Sequence, residues 1–525
     1  MDPTHRVVMN TGILYARMAI TVVLSLYTTR LVLNALGVDD FGIFNLVGGV
    51  IAMLTFLNAS MAAATQRFMS YAQGHGDEGR LHQIFNVSVV LHAGIAIIVL
   101  GILQFAGFIL FDRMLKIAPE RMQAAWLVYQ FAVASTFITI LGVPYDAVIN
   151  ARENMLLFAV LGVVEAVTKL AIALIIVDAT TDKLELYGFL MAVTTVALLL
   201  MRAAYCHRRY HECKYALRRY FCRSLFNEMS RFAGWSLFGS ATSMLANYGQ
   251  ILVLNMFFGA ALNAAQGVAI QISGQLSVLA GTMLRALNPL IAKSEGAGNR
   301  QFMLTASIMG SKLSFFLLMI IYIPVWLEMP YLFGLWLKEV PQYAIKFCQL
   351  LLIQKLIEQL FITLAISISA VGNIRDYQLV SSVLTLFPLA VSFVFFRFGY
   401  SPEYLYYIFI CYALASLNVT LYFAKKYCGL LLWDYFWNVI ARCTSSFIIV
   451  IGVSSLPTIF MASGFSRLLY VSSLLFLSFF FSVWWIGLNK LERDQIKVIL
   501  NHTFNKLLSR ANSIAANYRH SKRNK

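Results

Sequence analysis

Charge is scarce in this chain. Only 12% of its 525 residues are Asp, Glu, Lys or Arg, about half the roughly 25% of an ordinary soluble domain. With 60% hydrophobic residues and a mean hydropathy of +0.73, that scarcity excludes disorder and a soluble fold. A soluble chain of this length could not cover so much apolar surface. Cysteine is also sparse. The seven present show no paired framework, which excludes a disulfide scaffold. Catalytic signatures are missing too. There is no G-x-x-x-x-G-K-[S/T] phosphate loop, no helical HExxH, and no nucleophile elbow or Ser/His/Asp set. The chain is therefore not read as an enzyme. A membrane-embedded polymerase or ligase would usually need a large loop, and no inter-helix loop here holds a domain. Cys206, His207, His211 and Cys213 crowd one basic loop, but their spacing fits no common zinc pattern. They are read as incidental members of a solvated loop, and no metal or cofactor is expected. Carboxylates are the scarcest charges, 24 against 41 basic residues, for a net charge of +17. In a soluble chain that would suggest nucleic acid. In a membrane chain it poses a question of orientation.

What the sequence has is long apolar runs. A membrane helix needs about 20 mostly apolar residues. Fourteen runs qualify: 11–36, 41–66, 84–111, 122–149, 154–177, 184–201, 232–258, 266–292, 303–330, 345–371, 377–396, 404–424, 443–462 and 468–488. They are continuous rather than alternating, which excludes a β-barrel. The first contains Arg17 and lacks a small-residue cleavage site, so it is read as a retained helix. With the N-terminus inside, the inside segments carry 27 Lys and Arg, the outside segments 7, and the spans themselves 7. That split places both termini in the cytoplasm. The expected fold is an all-α polytopic membrane protein of about fourteen helices.

An internal repeat divides it. Leu31-Val32-Leu33-Asn34 ends the first run and Leu252-Val253-Leu254-Asn255 ends the seventh. Gly74-His75-Gly76 with Arg80 follows the second run, and Gly296-Ala297-Gly298 with Arg300 follows the eighth. Two six-helix lobes in the same orientation are expected, as parallel repeats with a central cavity between them. The N-lobe is 1–201 and the C-lobe 232–424. A basic cytoplasmic linker (202–231) joins them. Two further helices (425–488) and a basic cytoplasmic tail (489–525) follow.

Ionisable groups inside spans are costly and usually face a bundle interior. Arg17 shares one helical face with Asn10, Thr21 and Thr28, and either lines a cavity or snorkels to the headgroups. Arg285, with Asn288 three residues on and Gln271 and Gln275 towards the outer end, is weighed the same way. Arg30 lies near the outer end of its helix, where snorkelling is easier. Glu165 with Lys169, and Lys355 with Glu358, have ion-pair spacing. Asp146, unpaired in sequence, is either a proton or ion site or a loop-facing acid. Pro144, Pro289, Pro324, Pro388 and Pro457 fall within spans and favour kinks. Helix one has no carboxylate between Asp2 and Asp39, whereas a cation antiporter needs acids. Unpaired arginines favour an anionic substrate such as a phosphate or pyrophosphate.

Several stretches resemble the Wzx-type polysaccharide flippases of the multidrug/oligosaccharidyl-lipid/polysaccharide exporter superfamily. They are Phe232-Ala-Gly-Trp-Ser-Leu-Phe-Gly-Ser, Leu254-Asn-Met-Phe-Phe-Gly, Asn263-Ala-Ala-Gln-Gly-Val-Ala-Ile-Gln271, Asn288-Pro-Leu-Ile-Ala-Lys293, Gly310-Ser-Lys-Leu-Ser-Phe-Phe316, Trp336-Leu-Lys-Glu-Val-Pro341 and Gly372-Asn-Ile-Arg-Asp-Tyr-Gln378. The similarity is densest over 232–378. Leu290 departs from it, standing where Gln commonly follows the Pro. The resemblance implies two six-helix lobes around a cavity, usually with two added helices. It implies a bacterial inner-membrane flippase that moves undecaprenyl-pyrophosphate-linked oligosaccharide for O-antigen, capsule or exopolysaccharide. Arg17 and Arg285 are the candidate cationic positions. Membrane lipids, a polysaccharide polymerase and chain-length machinery are the expected partners, with coupling to H+ or Na+ at no assigned site. A drug/cation antiporter and a lipid II flippase of the same superfamily are the alternatives.

Overall fold

The computed structural model describes residues 3–52, 55–109, 111, 119–336, 340–490 and 492–494. Every regular element among them is helical. They are α1 (Pro3–Ala52), α2 (Thr55–His75), α3 (Glu78–Ile109), α4 (Met122–Ala151), α5 (Met155–Val177), α6 (Lys183–Arg209), α7 (Leu217–Tyr220), α8 (Arg223–Phe258), α9 (Ala260–Gly296), α10 (Arg300–Leu327), α11 (Met329–Trp336), α12 (Ala344–Gln359), α13 (Ile362–Val371), α14 (Arg375–Arg397), α15 (Tyr404–Phe423), α16 (Leu432–Tyr435), α17 (Arg442–Ser454), α18 (Leu456–Phe460) and α19 (Phe465–Ser482).

Among the described residues, eleven spans are long and apolar enough to cross a membrane, and α12 with α13 makes a twelfth, bent by 41°. The chain is a polytopic membrane protein. Two of the fourteen expected runs are not among those twelve. The run 41–66 includes residues outside the described set. The run 232–258 is helical throughout, in α8, but is too polar to count. The reason is local: Ser236, Ser240, Ser243 and Asn247 line a cavity rather than face lipid. The prolines behave unevenly. Pro144, Pro289, Pro324 and Pro388 sit inside unbroken helices, whereas Pro457 opens the short α18. The bend between α12 and α13 contains no proline.

The repeat seen in sequence recurs in the backbone. Gly37 (φ 78°, ψ 173°) breaks α1, and Gly259 (φ 79°, ψ −176°), 222 positions on, separates α8 from α9. That conformation is essentially glycine-only. Gly76 (φ 78°) and Gly298 (φ 73°), also 222 apart, end α2 and α9.

The described residues form two compact units. The larger comprises 7–311 and 341–430, and the smaller has its bulk in Lys312–Val340 and Leu431 onward. In the smaller unit, Arg467 donates to both oxygens of the fully buried Glu328 at 2.8 and 2.9 Å. The buried Lys312 pairs with Glu492. Asn489 and Glu492 cap one another reciprocally, each backbone N–H donating to the other's side chain at 2.9 and 2.8 Å. That is the geometry of a helix-start capping box. In the larger unit, α4 packs on α3 and α6, α2 on α8 and α9, and α14 on α8 and α15. A core of Phe68, Phe85, Tyr145, Ile149 and Phe232 fills its basic end. Cys206 and Cys213 belong to that core and are fully buried. The solvated-loop expectation is corrected for these two. α6 continues to Arg209, and the chain then folds back so that Cys213 packs on Cys206. Their contact and burial push the Cys213 thiol above its usual range.

Candidate functional site

The polar face of α1 is turned inward. Asn10 and Thr28 are buried, and Arg17 and Thr21 are half-buried. The partner of Arg17 is α5. Phe158, Gly162, Glu165 and Lys169 follow helical spacing, so they form one stripe. The Arg17 guanidinium lies over the Phe158 ring at 4.4 Å. A Cβ at Gly162 would come within 2.1 Å of Arg17 Nε, so glycine at that position makes room for the guanidinium. From the other repeat, Arg285 on α9 reaches the same ring at 5.7 Å. Neither arginine makes an ion pair or hydrogen bond among the described residues. Two guanidinium groups from opposite repeats thus share one aromatic ring, an arrangement worth about 0.5–2 kcal/mol per cation.

Carboxylates lie within electrostatic reach of Arg17, at Glu165 and Asp146. Each already has a base. Lys169 donates to Glu165 at 2.6 Å, as the spacing suggested. Asp146, unpaired in its local sequence, accepts from Arg202 on α6 at 3.1 Å. The local sequence shows no partner because it lies 56 positions away. Lys355 pairs with Glu358 at 2.8 Å. Arg30, Gln271 and Gln275 are exposed side chains away from both the shared ring and the cavity below.

Asn288 points elsewhere. It lines a cavity of about 730 Å³ walled mainly by the second repeat and closed on one side by α2, with its Oδ1 buried and without a protein partner. Arg67 also lines that cavity. Its Nε and Nη2 donate to the Ala370 carbonyl at 3.2 and 2.9 Å, and its guanidinium lies over Phe68, Phe232 and Tyr71. Charge counting assigned Arg67 to a loop. The aromatic residues one and four positions on were the signal for a packed cation.

Both ends of the larger unit are tied. At one end Arg121 binds Asp40 (Nε to Oδ1, 2.8 Å) and Asp182. Burial opposes the charge on Asp182. The hydrogen bond from Arg121 and those from the Glu185 and Leu184 amides outweigh it and hold the carboxyl below its usual range. At the other end the repeats meet. Asn10 donates to the Glu153 carbonyl at 3.4 Å, Lys293 pairs with Glu153 at 3.4 Å, and Tyr15 donates to the Leu279 carbonyl at 3.0 Å.

No family model matches the chain, and no curated protein matches it in sequence. Solved structures do share its fold. One is an outward-facing multidrug resistance MATE family transporter of the MOP superfamily, with a TM-score of 0.71 and 14% identity, covering 82% of this chain and 96% of that one. Another is a MOP superfamily transporter from Pyrococcus furiosus, described as having a binding pocket of reverse polarity, with a TM-score of 0.70, 14% identity, and coverages of 82% and 96%. A third is a MATE in its straight conformation, with a TM-score of 0.69, 15% identity, and coverages of 82% and 97%. At such identities the likeness establishes the fold.

Proposed function

We propose that this protein is a flippase for pyrophosphate-linked oligosaccharide lipid, working by alternating access between its two repeats. The observation that carries the reading is the pair Arg17 and Arg285. They converge on Phe158 from opposite repeats with no carboxylate of their own. A pyrophosphate would supply the missing counter-charge, and guanidinium binds it through parallel hydrogen bonds. Moving an anion through the membrane requires that its desolvation be offset, and a pre-formed cationic pair does this. The oligosaccharide and undecaprenyl parts of the reading rest on the motif resemblance over 232–378. Orientation, with both termini cytoplasmic, rests on the 27-to-7 charge split.

The test is complementation of a flippase-deficient polysaccharide strain. Arg17→Ala and Arg285→Ala, at wild-type abundance, should each fail to restore surface polysaccharide. Full restoration by both removes the cationic-pair assignment. A drug/cation antiporter of the same superfamily is the second reading, favoured by the carboxylates Asp146 and Glu165 near Arg17. Both are already neutralised by Arg202 and Lys169, which counts against a free cation site. Efflux of cationic dyes without any effect on surface glycan would reverse the order.

A further inference from the structure

We propose that the 730 Å³ cavity lined mainly by the second repeat is a saccharide subsite, separate from the arginine pair and adjoining it. The inference rests on the flippase reading and assigns the sugar-bearing end of the substrate to one place. The volume lies within the range of small-molecule sites. Among the described residues no Asp or Glu lines the cavity. Its polar lining is amide and hydroxyl, chiefly Asn247, Asn288, Gln378, Ser381 and Tyr412, with Arg67 as the single cation, set among apolar side chains such as Met244, Phe361 and Ile366. Arg67 already gives two N–H groups to Ala370. Amides and hydroxyls offer donors and acceptors together, which matches a polyol, and the lining holds no carboxylate to balance a cation.

Three details mark a built site. The Asn288 Oδ1 is buried with no protein partner, and a buried acceptor left empty costs about 1–3 kcal/mol. The Gln378 side chain lies over Gly239, where a Cβ would come within 2.2 Å of its Oε1. Glycine there makes room for the amide. Asn288 follows Arg285 by three residues on one helix, so the two are about 4.5 Å apart along the axis on neighbouring rows. One helix thus offers a cation and, on the next turn, an amide side chain in the cavity wall. A sugar bonded directly to a pyrophosphate has that layout.

The experiment uses the full chain in lipid nanodiscs and two probes. One is undecaprenyl pyrophosphate. The other is the same lipid bearing a single hexose or N-acetylhexosamine, tried as a small panel. Wild type should bind at least one glycosylated probe about tenfold more tightly than the bare lipid, the gain of one or two net hydrogen bonds. Asn247→Ala and Gln378→Ala should each reduce that probe to the bare-lipid affinity and leave bare-lipid binding unchanged. Arg285→Ala should weaken both probes. If bare and glycosylated lipids bind wild type equally, the saccharide subsite is wrong and the flippase reading stands. If neither lipid binds while tetraphenylphosphonium does, the flippase reading falls as well.

Discussion

Gly74 and Gly296 occupy matching places in the two repeats, and each packs against the other repeat's backbone. A Cβ on Gly74 would lie 1.9 Å from the Lys293 carbonyl oxygen, and one on Gly296 would lie 2.0 Å from that of Tyr71. Tyr71 and Lys293 are themselves 222 positions apart, as the two glycines are. The contact is therefore self-complementary, like the interface of a symmetric dimer, although one chain makes both sides. His75 adds a hydrogen bond to the Gly296 carbonyl at 3.2 Å.

Such close backbone approach leaves no room for a methyl group. Gly74→Ala and Gly296→Ala should each destabilise the protein by about 1–3 kcal/mol, the cost of overpacking. Thermal unfolding followed by tryptophan fluorescence in detergent reads the loss. Gly94→Ala in α3 meets nothing within 4 Å and should be neutral or stabilising by up to about 1 kcal/mol. A Gly94 variant that loses as much as the other two would show that the loss is not specific to the crossing.

The matched turns at Gly37 and Gly259 make a separate prediction. With φ near +78° and ψ near 180°, alanine at either place should cost about 1–3 kcal/mol of backbone strain. The pair should lose about twice as much as either single variant, because their side chains share no partner. Unfolding midpoints of both singles and the double measure this.

In the smaller unit the pair Lys312 and Glu492 is buried, at 1% and 9% side-chain exposure. Removing one partner strands a charge in an apolar setting, which typically costs about 3–5 kcal/mol. Lys312→Met and Glu492→Leu should each lower purified yield sharply. The double variant should recover most of it, since a buried pair and an apolar pair of similar volume are near in stability. A double variant as poor as the singles would refute the ion-pair account.

The clamp of Arg121 on Asp182 has a pH signature. Its carboxyl is held below the usual range, so the clamp contributes stability above the unfolded value of about 3.9. The contribution is lost as pH falls through that value towards the folded one. Acid titration of the unfolding midpoint should show a fall below about pH 4 that is reduced in Asp182→Asn.

Much of this architecture could be read in the sequence, for physical reasons that differ by residue. Long apolar runs announce spans because lipid demands them, and glycines with special backbone angles announce the repeat because no other residue fits. Arg17 stood out as a charge in an apolar run. Its neighbours on α5 did not, because Phe158 and Gly162 look like any lipid-facing residues until the helices are packed. Pairings across helices were invisible. Arg202 and Asp146 are 56 positions apart, and Lys312 and Glu492 are 180 apart. Arg67 was missed because counting charges at span ends treats an inward-facing arginine as a loop residue. The C-terminal end of α8 was legible, but its start at Arg223 and its polar cavity face were not.

That face of α8 bears on how the protein is made. A segment carrying Ser240, Ser243, Asn247 and Gln250 partitions poorly into lipid when it emerges alone from the ribosome. A single glycine joins it to α9, so the two can leave the translocon together as a helical hairpin, each sheltering the other's polar groups. Glycosylation mapping in microsomes should find α8 inserting inefficiently by itself and well when α9 follows. The cavity-lining residues of α8 would then set the order of biogenesis, with the second repeat entering the membrane in pairs rather than helix by helix.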